Sequence, residues 1–285
     1  MDKKALSHSV MKMNCALDLE RKVVGVKFLF GREEYEAADA KGITKKMNYC
    51  VMVRLAMSGK ALKATGDELA CLAGARALGL KEIDCAHRSG QNGKRLGLYR
   101  DMATAKKARD AMSYCDHEAV GVMVKPLDEF DVEPDVVMLV TNPYNVMRLI
   151  QAYSYHYGVR SNFKLSGNQA ICSESTAYPY LSNDINVSAL CIGTRHRAGW
   201  KDSELAVSFP FNRFGTIVDG LMETINIMEN NEKKKMIEKK LHEHAVENFK
   251  IRYNFNYYDI DRASDSADTG TLNDGEPTAE AKTDP

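Results

Sequence analysis

The chain has 285 residues, of which 44% are hydrophobic and 27% charged, and its formal net charge is +0. That mix is the ordinary globular one and excludes collagen, coiled coil and wholesale disorder. No apolar run approaches the ~20 residues of a membrane helix, the N-terminus lacks the apolar stretch of a secretory signal, and the neutral balance gives no electrostatic reason to expect nucleic acid or membrane partners.

In chain order, Leu6, Val10, Met13 and Leu17 recur at helical spacing, which predicts an amphipathic helix over residues 5–19. Residues 23–30 (VVGVKFLF) are apolar, β-branched and closed by a glycine, the pattern of a strand. Residues 48–57 are helical or extended, residues 61–64 a short strand, and residues 67–78 (DELACLAGARAL) an Ala-rich helix closed by Gly79. The stretch 87–97 (HRSGQNGKRLG) is rich in glycine and basic residues and reads as a loop able to cradle a phosphate or carboxylate. A solvent-facing helix follows over 104–112, then strands over 119–125 and 136–140 and a helix over 144–156. Strands over 187–192 and 205–209 and helices over 214–227 and 231–246 complete the series. Alternation of strands and helices predicts an α/β or α+β fold, a mixed sheet with helices packed on it. Residues 23–36 and 119–130 share a Val-Gly-Val start; were this a duplication, the fold would contain two similar halves.

The globular body is expected over 1–260. Residues 261–285 hold seven acids, two bases, one leucine and no aromatic residue. Such a stretch buries too little apolar area to offset its ordering entropy, so it is expected to be a disordered acidic tail.

Seven cysteines are present: Cys15, Cys50, Cys71, Cys85, Cys115, Cys172 and Cys191. An odd count without an export signal argues against a disulfide framework and for a reduced, cytoplasmic setting. Cys71 and Cys191 open the runs CLAGARALGL and CIGTRHRAG, each followed by a glycine (Gly74, Gly193) and an arginine (Arg76, Arg195). Glycine permits close approach of a ligand or cluster, and a guanidinium near a thiol favours the thiolate. Cys172 lies in a small, polar stretch and Cys50 precedes an apolar run. Four cysteines at 50, 71, 172 and 191 could therefore converge on an iron–sulfur cluster or a zinc ion, both served by soft thiolates. Cys85 with His87 is a weaker ligand pair, Cys15 and Cys115 read as packing residues, and His242 and His244 as surface residues. Tyr144, Tyr153, Tyr155, Tyr157, Tyr178 and Tyr180 could wall a pocket for a planar ligand.

These pieces resemble the family called domain of unknown function 169, found in many anaerobic bacteria and archaea. The resemblance runs through the VVGVKF strand, Cys50, CLAGARALGL, the VVMLVTNP strand, Cys172, VSALCIGTR and SELAVSFP, covering residues 5–228. It implies a cytoplasmic α/β protein whose cysteine positions suggest an iron–sulfur or other metal site. It implies no particular reaction.

Three functions compete. The first is a cysteine-ligated metal or iron–sulfur protein of anaerobic metabolism acting on a small molecule, with Arg76 and Arg195 tuning the cluster or holding a carboxylate. The second is a metal-free binding or sensor protein with a tyrosine-lined pocket. The third is thiol catalysis at Cys71 or Cys191. All three leave a homo-oligomer open.

Overall fold

The computed structural model describes residues 2–246 and 249–255; the predicted acidic tail lies outside them. Seven strands form one mixed sheet in the order β2-β3-β4-β1-β5-β7-β6. They are β1 (Val24–Leu29), β2 (Lys41–Gly42), β3 (Leu62–Thr65), β4 (Gly121–Pro126), β5 (Val136–Thr141), β6 (Asn186–Ser188) and β7 (Leu205–Pro210). Only the β2–β3 pair is parallel. The fold is α/β, as the alternating pattern predicted.

The central strands alternate their side chains between two apolar layers, as a pleated backbone requires. Val24, Val26 and Phe28 of β1 join Val136, Met138 and Val140 of β5 in one layer. Val137 and Leu139 of β5 join Val207 and Phe209 of β7 in the other. Because both faces are covered, these strands read as continuous apolar runs rather than alternating ones. The two Val-Gly-Val segments become β1 and β4, which pair antiparallel with Val24 opposite Pro126. Both are interior strands, which is the environment that asks for this pattern.

The first face is covered by α1 (Lys3–Leu17), α8 (Pro143–Tyr157), α11 (Phe214–Glu223) and α13 (Asn231–Glu243). Here the helical spacing held: Leu6, Val10, Met13 and Leu17 of α1 are all buried. Asp2 caps α1 and Asn142 caps α8 through their side chains, satisfying N–H groups the helix cannot pair itself. The 214–227 helix breaks at Thr224 into α11 and α12 (Ile225–Met228), where the Thr224 hydroxyl donates back to the Gly220 carbonyl.

The second face carries α3 (Tyr49–Ala56), α4 (Leu72–Ala77), α10 (Ile192–Ala198) and a π-helix over Ala170–Ala177. Three helices, α5 (Cys85–Arg88), α6 (Gln91–Arg95) and α7 (Met102–Ala111), form an excursion between α4 and β4. The remaining helices are α2 (Arg32–Ala37) and α9 (Tyr178–Ser182).

Several boundaries differ from expectation for local reasons. The helix predicted over 67–78 begins only at Leu72, because Leu69 bridges to Met47 and the Ala70 N–H donates to the Met47 carbonyl. The strand predicted over 187–192 ends at Ser188, and Leu190 then takes φ 64, a left-handed turn that swings the chain into α10. The expected glycine-rich loop 87–97 contains α6 and the end of α5. The turn before α4 is held by a close backbone approach: a Cβ added to Gly66 would stand 2.1 Å from the Leu80 carbonyl oxygen. Gly66→Ala is therefore expected to lower the unfolding free energy by about 1–3 kcal/mol through overpacking, measured by urea titration.

Candidate functional site

The cavity of interest lies on the second face, with a volume of about 690 Å³. Cys50, Cys71, Cys172 and Cys191 all line it. They come from four separate segments. Cys50 stands in the first turn of α3, Cys71 and Cys191 occupy the capping positions before α4 and α10, and Cys172 sits in the π-helix. A π-helix widens the turn and is typically found at functional sites; this one follows Gln169, which takes φ 49 and ψ 44.

Each of the four residues is half-buried and none is disulfide-bonded. The thiols feel one another. Burial, and then the negative charge that Cys191 and Cys71 would carry, push the Cys50 thiol up to about 12. Burial followed by Cys71, Cys191 and Cys50 raises Cys172 well above its ordinary value. Without a metal these two thiols therefore hold their protons at neutral pH. A Cβ on Gly74 would stand 3.8 Å from the Cβ atoms of both Cys71 and Cys172, so those two Cβ atoms lie less than twice that distance apart. The same atom would meet only ordinary contacts, and one on Gly193 would meet only the Cys191 sulfur at 4.0 Å. The space beside the thiols is open.

Among the described residues, no three His, Cys, Asp or Glu side chains stand close enough to share one metal ion. A tetrahedral zinc with Zn–S bonds of about 2.3 Å needs its sulfurs within roughly 4 Å of one another. A four-iron cluster makes a different demand, because each cysteine binds its own iron and the sulfurs stand further apart.

The excursion α5–α7 supplies a second set of lining residues. His87, Arg95 and Arg109 line the cavity together with Arg76, Asp84, Tyr99 and Gln169. His87 Nε2 lies 2.9 Å from the Tyr114 hydroxyl, and Gln169 Nε2 donates to the same hydroxyl at 3.1 Å. Burial, then the nearby Arg76 and Arg109, hold the His87 pKa below its usual range, keeping the ring neutral. Burial raises Tyr114 to about 12, against the lowering effect of the Gln169 hydrogen bond. A chain running Gln169 Nε2–H to Tyr114 Oη–H to His87 Nε2 uses each proton once. It leaves Gln169 Oε1 buried without a partner, and Arg109 Nε is likewise buried and unpaired. Leu72 and Ile192, which directly follow two of the cysteines, line the cavity and are 54% and 63% exposed, giving it an apolar mouth.

Of the predicted arginines, Arg76 lines the cavity while pairing with Asp84. Arg195 does not line it: its guanidinium donates to the carbonyls of Ala189, Lys201 and Glu204 and fixes the loop after α10. Cys85 is exposed, and Cys15 and Cys115 are buried. None of the six middle tyrosines lines the thiol cavity. Tyr153 and Tyr157 do share a face of α8, their rings 4.9 Å apart, and Tyr144 lines a separate cavity of about 430 Å³. Sequence reasoning missed Arg109, Tyr114 and Gln169, whereas Arg95 lies in the basic, glycine-rich stretch 87–97 expected to cradle a phosphate or carboxylate. No described helix is long and apolar enough to cross a membrane.

No solved structure matches the chain. An uncharacterised protein of Methanocaldococcus jannaschii, MJ0308, is 31% identical over 227 residues, covering 78% of this chain and 95% of its own length. The profile of the family described as Uncharacterised ArCR matches residues 12–220, a span that contains all four cavity cysteines and both sets of lining residues. The chain belongs to this family, domain of unknown function 169.

Proposed function

We propose that the protein holds an iron–sulfur cluster on Cys50, Cys71, Cys172 and Cys191 and binds a small molecule beside it. The observation that carries this reading is the gathering of four cysteines, from four segments spread between Cys50 and Cys191, on the wall of one cavity. Packing alone gives no reason for four free thiols to share an open space. The donor set is all soft sulfur, which suits iron–sulfur clusters, and zinc less well at this spacing. Among the described residues, Arg76, Arg95 and Arg109 line the same cavity against the single acid Asp84, so these surroundings are cationic and offset the negative charge of thiolates on a cluster.

When bound, such a cluster supplies a redox centre or, with one thiolate withdrawn, a Lewis-acidic iron. The residues of the chain would hold it, line its approach with the apolar side chains of Leu72 and Ile192, and orient the small molecule. A cluster facing an open cavity is exposed to oxygen, which fits a place in anaerobic metabolism.

The test is made on protein purified without oxygen, by visible spectrum and by assay of iron, sulfide and zinc. A brown protein carrying iron and sulfide in matching amounts is expected, and Cys71→Ser and Cys172→Ser should each lose most of the colour and iron while staying folded by circular dichroism. Metal content unchanged in both variants sinks the reading. Zinc without sulfide would transfer the site to a single-ion centre.

A further inference from the structure

We infer that the α5–α7 side of the cavity is a recognition site for a small hydroxycarboxylate, held by Arg109 and Gln169. This names the class of small molecule in the proposal above, yet it stands on residues that carry no thiol. Three observations converge. First, among the described residues three arginines and one carboxylate line the cavity. Arg76 is paired with Asp84, whereas Arg95 is exposed at the cavity with no hydrogen-bond or ion-pair partner among the described residues. The excess positive charge calls for an anion, and a guanidinium donating two N–H groups matches a carboxylate.

Second, Arg109 keeps its Nε–H unpaired and buried while its Nη2 donates to Asp110. An unmade hydrogen bond from a buried charged donor is costly, and an arriving carboxylate oxygen would make it. Third, Gln169 holds its Nε2 to Tyr114 and leaves Oε1 as a buried acceptor with no donor. A carboxylate alone cannot satisfy it, because it has no proton to give. An amino acid could, but its ammonium would face the same arginines. A hydroxyl donates without adding positive charge. The ligand class that meets both orphans carries a carboxylate and a hydroxyl. The left-handed conformation of Gln169 fits a residue held for such a role, since strain of this kind is retained where the surroundings impose it.

The test uses two matched pairs of probes, lactate against propionate and malate against succinate, titrated calorimetrically into the full chain in a buffer without carboxylate. Each pair differs by one hydroxyl. At least one hydroxy acid should bind roughly tenfold tighter than its partner, the fold-change expected from one buried hydrogen bond made or lost. Arg109→Gln should weaken both members of that pair by about tenfold or more, and Arg109→Lys by less. Gln169→Met should erase the preference for the hydroxyl while leaving the plain carboxylate bound. If neither pair discriminates, or if Arg109→Gln leaves both affinities unchanged, the inference is overturned. Running the titrations on oxygen-free protein and again after chelation separates the two readings. Hydroxy-acid binding by protein that is already free of iron when purified without oxygen removes the cluster alone. Iron and sulfide present without hydroxyl preference removes the ligand assignment alone.

Discussion

Arg148→Met is expected to lower the unfolding free energy by about 3–5 kcal/mol, the cost of leaving a buried charge without its partner. Arg148 and Glu229 are both 1% exposed and meet at 2.6 Å. The guanidinium also donates to Gln151, Thr224 and the Leu221 carbonyl, and Tyr144 donates to the second oxygen of Glu229. This network ties α8 to the segment between α11 and α13. The loss would be a large share of the roughly 5–15 kcal/mol by which folded domains are stable. The double variant Arg148→Met with Glu229→Leu should recover part of it, because no unpaired charge remains. Urea titrations of the three proteins decide the matter; a single variant within about 1 kcal/mol of wild type would mean that water reaches the pair. Because the network lies on the face away from the thiol cavity, metal content should not change.

The second large effect is a loss of stability in alkali that is steeper in the metal-free protein than in the loaded one. Cys50 and Cys115 are pushed up to about 12 and Cys172 is raised well above its ordinary value, with burial the leading cause in each. Above pH ~9 the unfolded chain releases these protons while the folded chain keeps them, so rising pH favours unfolding. The slope is at most about 1.4 kcal/mol per pH unit for each thiol. Bound iron would already have displaced the protons of Cys50 and Cys172, so the loaded protein should show a shallower decline through pH 9–10, with Cys115 contributing to both. Loading near neutral pH should correspondingly release protons into a weakly buffered solution. Equal alkaline slopes in the loaded and metal-free protein would contradict ligation by these cysteines.

The layers of the fold were legible because they follow from period alone. The α1 stripe Leu6, Val10, Met13 and Leu17, and the apolar runs that became β1, β4 and β5, announce burial on one face or on two. The segments around the site were not legible in that way. Leu69 looks like the start of a helix but is held by Met47 in a bridge that no local window contains. The π-helix carrying Cys172 has no period that a helical or strand template recognises. The four cysteines were legible as candidates by residue type, and their shared cavity only through topology. Arg76 and Arg195 show the limit: both follow a cysteine and a glycine, yet one lines the cavity and the other fixes a loop. Gln169 and Tyr114 were illegible, since a glutamine or a tyrosine acquires meaning only from what it leaves unpaired.

Strand order sets a timetable for the life of this molecule. Cys50 and Cys71 emerge from the ribosome before Cys172 and Cys191, and the two pairs meet where α3 packs on α10 and α4 on the π-helix. The last strand of the sheet, β7, ends at Pro210. A nascent chain therefore displays half a site, two thiols without enclosure, while the stretch between Cys71 and Cys172 is being made. Assembly of anything on all four cysteines must wait for the whole sheet, so the state of the thiols reports whether the chain has finished folding.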